Sequence, residues 1–152
     1  MCLALYLGSA IEARLRKGLE LSVERVDESC LPVLQRFSLP QVRYIGAHTG
    51  CSCGFPHVLA AQPIKWYPGI FDETEDRSKD LGSVEALFDL MRECLSESPQ
   101  LELYPVWDGD ESSPPKGIIV LDFAALESTK FLFTEGFLYR VSMRDHAGPP
   151  MD

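Results

Sequence analysis

The sequence has no apolar run near the roughly 20 residues that a membrane-spanning helix requires, so no spanning segment is expected. Its start lacks a basic stretch and a small-residue cleavage site, which argues against a secretory signal. Histidine is scarce, with three in 152 residues, and positive charge is outnumbered, with 14 Lys and Arg against 23 Asp and Glu. A chain carrying −9 is repelled by the phosphate backbone, whose neutralisation drives non-specific nucleic-acid binding. Anionic lipid surfaces repel it for the same reason. Neither nucleic acid nor membrane is expected as a partner. A phosphate-cradling glycine loop, a dinucleotide fingerprint and a nucleophile elbow are missing too, so the usual routes to nucleotide or serine-hydrolase chemistry are closed.

The acidity is concentrated late. Residues 1–66 hold seven basic and five acidic side chains, whereas residues 67–152 hold seven basic and eighteen acidic ones. The plain reading is a solvated acidic face that keeps the protein soluble. A basic protein partner for the acidic C-terminal half is the other reading that this asymmetry leaves open.

With 45% hydrophobic and 24% charged residues, the chain has the composition of an ordinary folded domain. Strand signals recur at Cys2–Gly8, Leu19–Val26, Val33–Leu39, Val42–Ala47, Leu101–Trp107 and Ile118–Phe123, with a hairpin over Phe131–Val141 turning at Thr134-Glu135-Gly136. Pro105 pushes its strand toward a sheet edge. The unbroken apolar run at Ile118–Phe123 reads as a central strand covered on both faces. Ser9–Lys17 reads as one or two helical turns, because Ser9 and Glu12 have capping-box spacing. The main helix shows in Leu81, Val84, Leu87, Phe88, Met91, Cys94 and Leu95, with Ser83 as N-cap and Pro99 past the end. Strands without regular intervening helices imply an α+β fold. The expectation is a single domain over residues 1–143: a mixed, mostly antiparallel sheet of about seven strands with one main helix packed on one face. A flexible tail is expected over residues 144–152.

The five cysteines are Cys2, Cys30, Cys51, Cys53 and Cys94. An odd count without a signal argues for a reducing cytoplasm rather than a disulfide framework. Chemistry concentrates in one stretch, His48-Thr-Gly-Cys51-Ser-Cys53-Gly-Phe-Pro-His57. Thiolate and imidazole ligands together select soft or borderline ions such as zinc and copper(I). Gly50 and Gly54 allow the backbone to bend so that both thiols serve one site. Zinc requires four tetrahedral ligands. The expected set is Cys51, Cys53, His48 and, from the first strand, Cys2, with His57 as substitute. That set predicts a structural or regulatory zinc protein. The alternative is a thiol-dependent enzyme or redox protein, with Cys51 or Cys53 attacking and His48 or His57 as base. A third reading is an interaction module in which the cysteines only pack.

Other candidates carry less. Asp108, Asp110 and Glu111 start like a calcium loop but lack its later glycine and bidentate glutamate, so they read as an acidic turn. His146 reads as solvated in the tail. Trp66, Tyr67 and Trp107 read as core more readily than as pocket walls. Removal of Met1 would make Cys2 an N-terminal nucleophile, and the Met1-Cys2-Leu3 start is loosely similar to class II glutamine amidotransferases. The glycine-rich start of those enzymes is absent here.

The opening Met1-Cys2-Leu3 with Tyr6, and the run Tyr44-Ile45-Gly46 leading to Gly50-Cys51-Ser52-Cys53-Gly54-Phe55, resemble a group of small uncharacterised bacterial proteins. The resemblance implies a bacterial cytoplasmic origin. It brings no activity with it and therefore no catalytic role for any residue.

Overall fold

The computed structural model describes residues 2–55, 58–60, 78–126 and 132–143. Their core is a seven-stranded sheet, in the order β2-β3-β4-β1-β6-β9-β7. The strands are β1 (Leu3–Ser9), β2 (Arg16–Lys17), β3 (Leu21–Arg25), β4 (Gln41–Ala47), β6 (Gln100–Trp107), β7 (Gly117–Asp122) and β9 (Phe137–Ser142). Two short strands, β5 (Leu59–Ala60) and β8 (Phe133–Thr134), pair parallel beside it. The seven strands pair antiparallel except β7 with β9. The fold is therefore α+β with a mixed, mostly antiparallel sheet, as expected from the sequence. No helix among the described residues is long and apolar enough to cross a membrane.

β1 lies at the centre, and its near-continuous apolar sequence follows from that position, because both of its faces are covered. Alternation sends Leu5 and Leu7 to one side and Ala4 and Tyr6 to the other. Leu5, Leu7, Ile45, Leu101, Leu103 and Val141 meet the main helix, α1 (Ser78–Leu95), through Val84, Leu87, Met91 and Cys94. Ala4, Tyr6, Val42, Tyr104 and Val106 form a second, smaller core on the opposite face. Its cover is a 3-10 helix over Glu28–Arg36, from which Val33 is fully buried.

Several local expectations are corrected. Ser9–Lys17 forms no helical turn; it is irregular and ends in β2. The segment expected as a strand from Val33 is mostly the 3-10 helix, started by Asp27, whose side chain accepts from Ser29 N. Pro32 sits within this helix and deprives it of one N–H donor. α1 begins at Ser78, so Ser83 lies inside it, fully buried, rather than capping it.

β6 is interior despite Pro105. Its pairing with β9 stops at Leu103, and Pro105 sits beyond that point, where its carbonyl accepts from Gly136 N at 2.8 Å. The missing N–H thus falls where β9 no longer needs it. Among the described residues, β7 is an edge rather than a central strand, with Ile118 and Val120 exposed. The chain does turn at Gly136, but β8 then pairs with β5 instead of closing a hairpin with β9. His57, Trp66, Tyr67 and the expected tail over 144–152 lie outside the described residues.

Candidate functional site

The loop after β4 is built around Ser52. Its side chain is fully buried, accepts from Leu5 N at 2.9 Å and donates to Ile45 O at 2.6 Å. Leu5 and Ile45 are cross-strand partners in β1 and β4, so the hydroxyl splices the ladder where the two strands separate. Two reverse contacts fold the loop back: Gly50 N donates to Ala47 O, and Ala47 N to Cys51 O, both at 2.9 Å. Gly50 has φ +85°, a left-handed conformation that glycine adopts without the Cβ penalty. At Gly54 a Cβ would stand 2.5 Å from that of Ala47, so the close return of the loop requires a residue without one. Gly50 supplies a bend of the kind that the glycine spacing predicts, whereas Gly54 serves close approach instead.

This fold straddles the end of the sheet and divides the predicted ligands. His48 turns to the helix: its N–H donates to Ser83 Oγ at 2.9 Å, and its Nε2 lies 2.8 Å from Asp80 Oδ1 in the first turn of α1. The cysteines turn to the other face. Ser52 N donates to the Tyr44 hydroxyl at 3.2 Å, and the Tyr44 phenol is raised chiefly by burial, with smaller contributions from Cys51 and Cys53.

Cys2, just before β1, reaches the same place. The Cys53 thiol interacts with those of Cys2 and of Cys51. The Cys2 contact, then burial, then Cys51 push the Cys53 thiol up to about 12. Cys51 is moved the other way. The Thr49 hydroxyl, 3.5 Å from its sulfur, holds its thiol below the ordinary value, and Cys53 contributes in the same direction. The thiols of Cys2 and Cys53 belong to exposed residues, and Cys51 is half-buried.

A second cluster lies on the same face. The ligand atoms of Cys30, Asp108 and Glu111 all come within 4.8 Å of one another. Among the described residues this group, rather than the four predicted in and near the cysteine loop, meets so closely. Glu111 is buried, accepting from Tyr6 OH and Gly109 N, each at 3.0 Å. Burial first, then the Cys30 and Glu111 contacts, raise the Tyr6 phenol far above its usual range. The two clusters are joined twice: the Tyr6 and Tyr44 rings meet edge to face at 5.7 Å, and Asp108 N donates to Cys2 O at 2.8 Å. The acidic turn was legible in the sequence, but its buried glutamate was not, because nothing near residue 111 marks one carboxylate of the run for burial.

On the helix side, a cavity of about 1170 Å³ opens between the β2–β3 hairpin and α1. Arg16, Leu21, His48, Lys79, Leu90 and Arg92 are among its walls, and its described lining holds no cysteine. Two of its cations are already engaged, Arg16 with Glu93 at 3.1 Å and Arg92 with Asp89 at 2.8 Å. Comparison of the chain with family models, with curated proteins and with solved structures finds no match.

Proposed function

We propose that this chain is a metal-binding protein in which Cys2, Cys51 and Cys53 supply thiolates to one soft ion, with zinc as the metal. The supporting observation is that the Cys53 thiol interacts with those of both Cys2 and Cys51. Neighbouring thiolates repel one another, and a bound zinc would supply the compensating charge. The ion would tie the start of β1 to the loop after β4, a structural or regulatory role. A reducing cytoplasm suits such a site, because free thiols persist there. His48, turned to Asp80 on the helix side, is left out of this set, and the fourth position falls to a water.

The test is metal content by mass spectrometry on reduced, untagged protein, with cobalt(II) as a spectroscopic substitute. The expected result is about one zinc per chain, as one structural site requires, with intense sulfur-to-cobalt absorption. Cys51→Ser or Cys53→Ser abolishes both signals, and His48→Ala leaves them unchanged. Loss on Cys30→Ser instead would move the ion to the Cys30, Asp108 and Glu111 group. No metal uptake at all would overturn the reading.

A second reading has its own observation. The Thr49 hydroxyl favours the Cys51 thiolate, as a thiol nucleophile requires. A metal-free protein whose Cys51 reacts with a disulfide probe, and whose Cys53 then releases the mixed disulfide, would favour this thiol-exchange reading.

A further inference from the structure

The two edges of the seven-stranded sheet are treated differently. β2 is two residues long and carries Arg16 and Lys17, a short and charged edge of the kind that resists pairing. β7 is six residues long and, among the described residues, pairs only with β9. Its even-numbered positions share one face of the strand. With Lys116 just before it, they read Lys116, Ile118, Val120 and Asp122, with Ile118 52% and Val120 74% exposed. The odd-numbered Ile119 and Leu121 face the other way and pack against the α1 core.

That order is its own complement when the strand is reversed. We propose that β7 pairs antiparallel with β7 of a second copy of this chain, about a two-fold axis at Ile119. Ile118 then faces Val120 of the partner subunit, and Lys116 faces Asp122 of the partner subunit, each pair occurring twice. A shift of two residues one way sets Ile118 against the aspartate, and a shift the other way sets Lys116 against the valine. The matched register is the one that pairs apolar with apolar and opposite charges with each other. Lys116 already holds Glu135 at 3.0 Å, and the Asp122 side chain accepts from Ala124 N at 3.1 Å, so the new pairs extend existing contacts. An interface of two six-residue strands is small, which places the dimer among weak, concentration-dependent assemblies.

Sedimentation velocity on the whole chain over a wide dilution series tests this. A monomer–dimer equilibrium is expected. Val120→Lys should weaken the dimer by about tenfold or more, since an edge lysine opposes strand addition, while leaving the far-UV circular dichroism and melting temperature unchanged. The register has its own test. Ile118→Cys and Val120→Cys chains, mixed and oxidised, should give a 118–120 crosslink on peptide mapping that neither chain gives alone. A monomer at every concentration, a dimer indifferent to Val120→Lys, or crosslinks between other positions would overturn the proposal.

Discussion

The two faces of the sheet have different covers, and their buried chemistry follows from the cover. Under α1 the interface is aliphatic and aromatic, with Cys94 as its single thiol. Under the 3-10 helix and the turn after β6 it contains three phenols, Tyr6, Tyr44 and Tyr104. Glu102, at 0% exposure, and Glu111, at 4%, are among the carboxylates buried on that side. The other four cysteines gather around it. An α-helix satisfies its own interior backbone groups, so the side chains beneath it need not be polar. A 3-10 segment and tight turns leave N–H groups pointing inward, and each must find an acceptor. Glu102 serves Ser38 N at 2.9 Å and Leu39 N at 3.1 Å; Glu111 serves Gly109 N at 3.0 Å. The irregular cover is therefore held by carboxylates, and the polarity this brings is what lets thiols and phenols sit there.

The sharpest break of this contrast is at Glu102, which also accepts from Ser38 Oγ at 2.8 Å and from Arg140 Nε at 3.0 Å. Glu102→Leu leaves two backbone N–H groups and a guanidinium without their acceptor and should lower stability by about 3 kcal/mol. Urea unfolding followed by tyrosine and tryptophan fluorescence measures it. Glu102→Gln, which keeps one acceptor oxygen, should cost less. If the leucine variant were as stable as the parent, the carboxylates would not be holding the irregular cover. Next in size is Ser52→Ala. It leaves Leu5 N without an acceptor and Ile45 O without a donor at the point where β1 and β4 part, a loss of about 2 kcal/mol. Because the same loop sets Cys51 and Cys53, cobalt affinity should fall with it, whereas a surface serine such as Ser29 should leave that affinity unchanged.

Periodicity made the helix-covered side legible. The apolar stripe from Leu81 to Leu95 predicted α1, and the strands β1, β3, β4 and β6 came from apolar runs or alternation. The other side misled for a physical reason. Val33–Leu39 has strand composition, yet two points hold it as a 3-10 segment: Asp27 caps its start, and the Ser38 and Leu39 N–H groups dock on Glu102, a contact more than 60 residues away in sequence. Ile118–Phe123 looks central because it is uniformly apolar, and nothing local says that its outer edge meets no further strand. In the loop, the nearness of Cys2 to Cys53 follows from the adjacency of β1 and β4. The diversion of His48 to Asp80 does not, since it depends on α1 starting at Ser78, five residues ahead of the expected cap.

The smallest effect leaves the fold untouched and compares thiols across the sheet. In reduced, metal-free protein, iodoacetamide should label Cys51 first and Cys94 last, because Cys94 is buried on the helix side and burial raises its pKa. Alkylation follows the thiolate fraction. For Cys51 the rate should therefore level off at a pH below that of an ordinary thiol. For Cys53, whose thiol is pushed up to about 12, the rate should still be rising in strongly alkaline solution. Thr49→Val removes the hydroxyl that favours the Cys51 thiolate and should move the Cys51 midpoint upward, toward the ordinary value. Cys2→Ala should move Cys53 downward, since the Cys2 contact is the largest of the influences raising it. If Cys53 instead titrated like a free thiol in both backgrounds, Cys2 and Cys51 would not be its neighbours, and the polar face would hold separate cysteines rather than one cluster.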